Sequence, residues 1–128
     1  MEAVLSVNNV SYSYVSRYQK VDALKNVTCS FEKGKFYAIM GRSGSGKSTF
    51  LSLLAGLDTP SSGEILFEGK SLAEIDRNKY RKYHASVIYQ SFNLFPLLTA
   101  LENVMYPMEL QGVKRRDART RAIELLSK

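Results

Sequence analysis

The sequence of 128 residues has little cysteine and no long apolar run, and it does not begin like a secretory signal. Its single cysteine, Cys29, has no second thiol for an internal disulfide, which favours a reducing compartment. No apolar stretch approaches the roughly 18 residues that a membrane-spanning helix requires. The first residues lack the basic start and apolar stretch of a signal peptide. These absences predict a cytoplasmic chain, unless a partner holds it elsewhere.

Positive charge is in excess, with a formal net charge of +6. Such an excess leaves nucleic acid and anionic membrane surfaces open as partners. The basic residues concentrate at positions 77–82 and 114–121, and both stretches have a helical pattern. Because few aromatic residues lie among the charges of the second stretch, a solvated helix face is favoured over a nucleic-acid site. We therefore predict no nucleic-acid partner.

A glycine-rich stretch from Gly41 to Thr49 fits the pattern G-x-x-x-x-G-K-[ST], the phosphate-binding P-loop. Its glycines allow successive backbone N–H groups to point inward around anionic oxygens. Lys47 adds a positive charge for the β- and γ-phosphates, and the Ser48 hydroxyl suits a Mg²⁺ that bridges them. A helix that begins here directs its positive end at the same anion. The stretch therefore predicts nucleotide binding.

The sequence on either side of this stretch decides between a P-loop and a flexible glycine–serine linker. The apolar run 36–40 has the pattern of a short strand buried on both faces. Apolar residues at helical spacing follow the loop: Phe50, Leu51, Leu53, Leu54 and Leu57. A strand before the loop and a helix after it are the context that a P-loop requires, and linkers lack it.

Alternating apolar residues predict further strands at residues 4–14 and 26–31, which form an antiparallel flank that leads into the buried strand at 36–40. A separate short strand is predicted at residues 64–67. The pair Asn8-Asn9 predicts a shift of register or a bend within the first of them. Another strand is predicted at residues 86–89.

Helix starts are predicted at two capping-box spacings, Ser71 with Glu74 and Thr99 with Glu102. A last helix is predicted from about Lys114 onward.

Several of these features occur together and in order in one known family. They are Ala23–Val27, Gly41–Thr49, Pro60–Phe67, Val87–Leu94 and Asn93–Val104. On these residues, almost the whole chain resembles the nucleotide-binding (ATPase) subunit of ATP-binding cassette (ABC) transporters. The last segment is similar to the subgroup that works with permeases of the macrolide-exporter, lipoprotein-release and antimicrobial-peptide-resistance type.

The resemblance implies an α/β fold, a P-loop NTPase core with an antiparallel β flank and the start of a helical subdomain, incomplete at the C-terminus. Residues 1–92 would be the ATP-binding core, and residues 93–128 the Q-loop region and the beginning of the helical subdomain. The family's Leu-Ser-Gly-Gly-Gln signature and its catalytic glutamate come later in the family's sequences, and neither is found in this chain.

The resemblance also implies ATP and Mg²⁺ as cofactors and assigns roles to individual residues. Tyr14 matches the aromatic residue that stacks on adenine, with Tyr12 or Tyr18 as substitutes and an ordinary core or surface tyrosine as the alternative. Gln90 matches the Q-loop glutamine, which would join Lys47 in catalysis and Ser48 in holding the metal. The phosphate-binding positions would be Gly41, Ser43, Gly44, Ser45, Gly46, Lys47, Ser48 and Thr49.

The implied function is that of an ATP-binding subunit, which couples ATP binding and hydrolysis to a membrane permease. The permease would contact the region from Phe92 to Leu98, and a second ATP-binding subunit would complete a dimer. Such a subunit lies in the cytoplasm, peripherally on the inner face of the cell membrane. A catalytically inactive fragment that at most binds nucleotide is the alternative. A GTPase or nucleotide kinase is disfavoured, because no guanine-specific Asn-Lys-x-Asp run occurs.

Overall fold

The computed structural model describes residues 3–128 and divides into two compact units. The first unit ends at Val87, and the second runs from Ile88 to Lys128. No helix within residues 3–128 combines the length and the apolar character needed to cross a bilayer.

The first unit is built on an open antiparallel sheet of four strands in the order β2-β1-β3-β4. The strands are β1 (Ala3–Val15), β2 (Lys20–Glu32), β3 (Ser62–Phe67) and β4 (Lys70–Ser71). The predicted antiparallel flank is therefore confirmed, although β2 begins six residues before the predicted start at residue 26.

The asparagine pair in β1 produces the predicted change of register. Pairing with β2 shifts between Val7 and Val10, and Asn9 has a φ of 49°. Asparagine tolerates this left-handed conformation better than most residues with a Cβ atom. The bulge lies against Gly63, where an added Cβ atom would be 2.2 Å from the Asn9 carbonyl oxygen.

One face of the sheet is covered by helix α1 (Lys47–Leu54). Its buried residues Phe50 and Leu53 pack into the core of the unit, which also contains Val7, Val10 and Ile65. The predicted helix after the glycine-rich stretch is confirmed, and the spacing of Phe50 and Leu53 directs both side chains to the same face.

Helix α2 (Arg77–Tyr83) begins later than the Ser71 and Glu74 spacing predicted, so that prediction is wrong. Ser71 lies in β4, where it pairs with Leu66. The N-cap is Asp76, whose carboxylate accepts hydrogen bonds from the backbone N–H groups of Asn78 at 3.0 Å and Lys79 at 3.3 Å. Aspartate and serine are equally good N-caps. Because Ser71 pairs in the sheet, the helix is capped by Asp76 instead.

The predicted strands at residues 36–40 and 86–89 are absent from the structure, and both predictions are wrong. The side chains of Phe36 and Ile88 are 97% and 100% exposed. A strand requires a hydrogen-bonded neighbour, and none of residues 3–128 pairs with either segment. The apolar runs therefore lack the partners on which the predicted burial depended.

The second unit contains helices α3 (Ala100–Leu110) and α4 (Arg115–Leu126), which pack on each other. Met105, Ala118 and Ala122 form its buried core. The small alanine side chains of α4 permit a close approach of the two helices. The helix predicted from about Lys114 is thus confirmed.

The predicted capping box at the start of α3 is also confirmed. The Thr99 hydroxyl accepts a hydrogen bond from the Glu102 backbone N–H at 3.1 Å, and the Glu102 carboxylate accepts one from the Thr99 N–H at 3.1 Å. These bonds from Thr99 favour the ionised carboxylate and lower the pKa of Glu102.

We expect Thr99→Ala to lower the free energy of unfolding by about 1 kcal/mol, because it removes the cap of α3. Urea denaturation followed by circular dichroism measures the loss. The matched control is Thr120→Ala, since Thr120 lies in the interior of α4, where alanine is a better helix former. An equal loss in both variants would contradict the assignment of the cap.

Acid should weaken the same capping interaction. Because the pKa of Glu102 is lower in the folded chain, its contribution is complete above the usual glutamate pKa and is lost as the pH falls through the lowered value. The stability difference between the native chain and Glu102→Ala should therefore shrink in acid, as urea denaturation over a pH series would show.

Candidate nucleotide-binding site

The glycine-rich stretch forms a tight loop that leads directly into α1. Gly44 and Gly46 have φ angles of +80° and +95°, in the left-handed region that glycine adopts without strain. Gly46 is the N-cap of α1 and lies against β2, because an added Cβ atom there would be 2.5 Å from the Ala23 carbonyl oxygen. The loop is therefore anchored to the sheet at this glycine.

The Lys47 side chain folds back over the loop that precedes it. Its ammonium Nζ donates hydrogen bonds to the carbonyl oxygens of Gly41 at 2.5 Å and Arg42 at 2.7 Å, and to Ser45 Oγ at 3.2 Å. The Ser45 backbone N–H donates to the Arg42 carbonyl at 3.1 Å and closes a turn. This turn places the positive charge of Lys47 within the curve of the loop.

Unpaired donors lie at the N-terminus of α1. Its N-cap, Gly46, has no side chain to accept from the first turn, and the first helical bond runs from Phe50 N–H to the Gly46 carbonyl at 2.9 Å. Among residues 3–128, nothing accepts from the N–H groups of Lys47, Ser48 and Thr49. These donors, the helix dipole and the Lys47 charge together favour an anion.

Tyr14 lies beside the first turn of α1, which follows this loop. Its hydroxyl is 2.7 Å from Thr49 Oγ1, and either oxygen can donate. The Tyr14 side chain is 51% exposed, which leaves about half of its surface available to a ligand. Tyr18, one of the two predicted substitutes, lies outside β1 and is 90% exposed, with the Arg17 guanidinium 6.0 Å from its ring.

Three other predicted site residues, Ser43, Ser48 and Gln90, are exposed. Ser43 and Ser48 are exposed on the loop and on the first turn of α1. Gln90 is an exposed residue of an irregular segment in the second unit, whereas the loop, α1 and Tyr14 belong to the first. The structure thus brings Tyr14, Lys47 and Thr49 together within one unit.

Sequence reasoning missed a polar contact next to Tyr14. The Tyr12 hydroxyl donates a hydrogen bond to Asp58 Oδ2 at 2.6 Å. The Asp58 carboxylate raises the pKa of Tyr12 to about 12, and the same bond lowers the pKa of Asp58. Asp58 comes just after α1, before the turn at Thr59 and Pro60, and only its position in a turn gave any signal in the sequence.

The glycine-rich loop, its lysine and the helix that follows it define a class of protein, those with a phosphate-binding P-loop. A family model described as ABC transporter matches residues 24–128. The chain belongs to the ABC transporter family, as its resemblance predicted.

Relatives with curated names agree with this family. One is an uncharacterized ABC transporter ATP-binding protein, YclH, of Bacillus subtilis, 40% identical over 98% of this chain and 55% of its own. Another is the lipoprotein-releasing system ATP-binding protein LolD of Saccharophagus degradans, 41% identical over 98% of this chain and 56% of its own. The chain thus spans about half the length of these relatives.

A solved structure supports the predicted fold class. It is a dimeric, post-hydrolysis state of the ATP-binding cassette MJ0796 bound to ADP and Pi, with a TM-score of 0.87 and 37% identity. The similarity covers 96% of this chain and 56% of that one.

We expect Gly46→Ala to destabilise the chain more than Gly44→Ala. A Cβ atom at position 44 would have no neighbouring atom within 4 Å, so the only cost of alanine there is the left-handed backbone conformation, about 1 to 2 kcal/mol. Alanine at position 46 would have a similar backbone strain, and its Cβ atom would also collide with the Ala23 carbonyl oxygen. Equal losses of unfolding free energy in urea would contradict the close approach of the loop to β2.

Proposed function

We propose that this chain binds ATP with Mg²⁺ at the glycine-rich loop. The observation that carries the proposal is the convergence of the Lys47 ammonium and the unpaired N–H groups of α1 at one loop. This donor set fits the polyphosphate of a nucleotide, since it combines a full charge with backbone donors. The residues proposed to hold the phosphates are Gly41, Ser43, Gly44, Ser45, Gly46, Lys47, Ser48 and Thr49.

A Mg²⁺ ion also fits the residues of this loop. The Ser48 side chain is exposed on the first turn of α1, next to Lys47. Among residues 3–128, no group of three or more His, Cys, Asp or Glu side chains forms a separate metal site. Mg²⁺ typically takes one or two protein oxygens, with phosphate and water oxygens for the rest. We propose Ser48 as the protein ligand within the first unit, and the family resemblance adds Gln90 as a second. When bound, the ion would neutralise negative charge on the phosphates.

In the whole protein we propose that this site belongs to the ATP-binding subunit of a transporter, with Lys47 and Gln90 in catalysis. Residues 1–92 would form the ATP-binding core, and residues 93–128 the Q-loop region and the start of a helical subdomain. Phosphoryl transfer depends on several charged groups held in position together. Because this sequence lacks a Leu-Ser-Gly-Gly-Gln segment, nucleotide binding without hydrolysis is the second candidate for these residues alone. Lys47-dependent ATP turnover by the purified chain would overturn that second candidate.

Lys47→Ala should weaken the binding of ATP in the presence of Mg²⁺ by about 10-fold or more, because it removes a charged donor from the loop. Isothermal titration calorimetry measures the affinity. Lys79→Ala is the matched control, since it makes the same change of charge at an exposed position of α2 and should bind as the native chain does. Unchanged affinity in Lys47→Ala would refute the proposed site.

The proposed permease-binding surface is the segment from Phe92 to Leu98 in the second unit. Four of its apolar side chains are exposed, with Phe92 and Leu97 at 93% and 97% and Leu94 and Phe95 at 63% and 51%. Exposed apolar groups that lie close together in one segment are typical of a surface that meets another protein.

This segment is also tied to α3. The Asn103 side chain accepts a hydrogen bond from Phe95 N–H at 2.8 Å and donates to the carbonyl oxygens of Phe95 at 3.1 Å and Leu98 at 3.2 Å. The Phe95 ring packs on Tyr106 with the centroids 5.0 Å apart. A segment held in this way would bind a permease with little loss of conformational entropy. Such binding would place the protein peripherally on the inner face of the membrane. We also propose that it forms a dimer with a second ATP-binding subunit.

Leu97→Gln should weaken association with the permease and leave ATP binding unchanged, because Leu97 is almost fully exposed. Recovery of the permease with the tagged chain, from detergent extracts of cells that produce both, measures the association. Leu110→Gln is the control, since Leu110 is a 64% exposed leucine in α3, outside the proposed surface. The surface would be wrongly assigned if the two variants recovered the permease equally well.

A further inference from the structure

Tyr12 contacts both Asp58 and Tyr14, the tyrosine that the family resemblance places at the base of the nucleotide. Its hydroxyl donates to Asp58 Oδ2 at 2.6 Å. Its ring meets the Tyr14 ring edge to face, with the centroids 4.9 Å apart and the planes at 73°. Such aromatic pairs have a preferred geometry, so one ring restricts the orientation of the other.

Asp58 is itself held in place by its neighbours. Its Oδ1 accepts a hydrogen bond from the Thr59 N–H at 2.8 Å, and Arg77 donates to the Thr59 hydroxyl at 2.8 Å. The pKa of Asp58 is lowered by its bonds from Tyr12 and Thr59, so the carboxylate is charged at neutral pH. The pKa of Tyr12 is raised to about 12, so Tyr12 keeps the proton that it donates.

Tyr14 is therefore restrained from two directions. At its tip, the hydroxyl is bonded to Thr49 on the first turn of α1. At its ring, the contact comes from Tyr12, which Asp58 anchors to the segment that follows α1. Thr49 lies on the first turn of α1 and Asp58 lies shortly after its last residue, so both contacts connect Tyr14 to the same helix.

We propose that Tyr12 and Asp58 are positioning residues that hold the Tyr14 ring in place for stacking on the base of the nucleotide. The inference rests on the proposed function, because it assumes that the loop binds the phosphates of the same molecule. An exposed tyrosine that is free to rotate must lose this freedom when it stacks on a ligand. A ring that is already restrained avoids most of that cost.

The test compares two probes, MgATP and magnesium tripolyphosphate, which has the phosphates but no base. Tyr12→Phe keeps the ring and removes the bond to Asp58, and Asp58→Ala removes the acceptor. Each should weaken the binding of ATP by about 2- to 10-fold, the cost of ordering one side chain, and leave the binding of tripolyphosphate unchanged. Tyr83→Phe, which alters an exposed tyrosine on α2, is the control and should change neither.

A double-mutant cycle then separates positioning from a general structural role. In a Tyr14→Ala background, Tyr12→Phe should have no further effect on the affinity for ATP, because there is no ring left to hold. An equal loss of affinity for both probes in Tyr12→Phe would overturn the inference, since it would show damage to the loop itself. Unchanged ATP affinity in Tyr12→Phe would overturn it as well.

The native chain distinguishes failure of this inference from failure of the proposed function. If it binds tripolyphosphate as tightly as ATP, base stacking is refuted, while phosphate binding at the loop stands. If it binds neither probe, the proposed function fails, and the inference fails with it.

Discussion

The packing of α1 on the antiparallel sheet is the interaction on which the rest of the first unit depends. Phe50 and Leu53 are buried against Val7, Val10 and Ile65. Full burial of such a side chain contributes about 1.5 to 3 kcal/mol, which is large beside the few kcal/mol of stability of a typical domain. Because the glycine-rich loop ends at the first residue of α1, the same contacts fix the loop. A weaker core would therefore disturb the candidate site as well as lower the stability of the unit.

The donors of the loop differ in whether a hydrogen-bond acceptor already occupies them. The Lys47 ammonium is bonded to the carbonyl oxygens of Gly41 and Arg42, which orient it within the curve of the loop. A phosphate that binds there competes with these carbonyls for the same donors. Only the difference between the two sets of hydrogen bonds contributes to affinity. The N–H groups at the start of α1 have no such competitor within residues 3–128, so their contribution to anion binding is not reduced in this way.

Features that depend on neighbours in sequence could be predicted, and those that depend on distant partners could not. The left-handed glycines of the loop and the Thr99 cap follow from residues a few positions apart. The strand predicted at residues 36–40 needed a neighbouring strand, which the pattern of its own side chains does not reveal. The bond between Tyr12 and Asp58 joins residues 46 positions apart, and it exists only because β1 and the segment after α1 meet in the fold.

The bulge at Asn8-Asn9 connects the sequence pattern of β1 to the site. Side chains alternate between the two faces of a strand. Before the bulge, the odd-numbered residues Leu5 and Val7 face the core. The shift of register after Val7 changes this parity, and Val10 and Tyr12 then pack on the core from even-numbered positions. Tyr14 has the same parity and reaches Thr49 at the start of α1. In an unbroken strand, Ser11 and Ser13 would face α1 instead. The left-handed turn at Asn9 is therefore what gives the candidate site its aromatic residue.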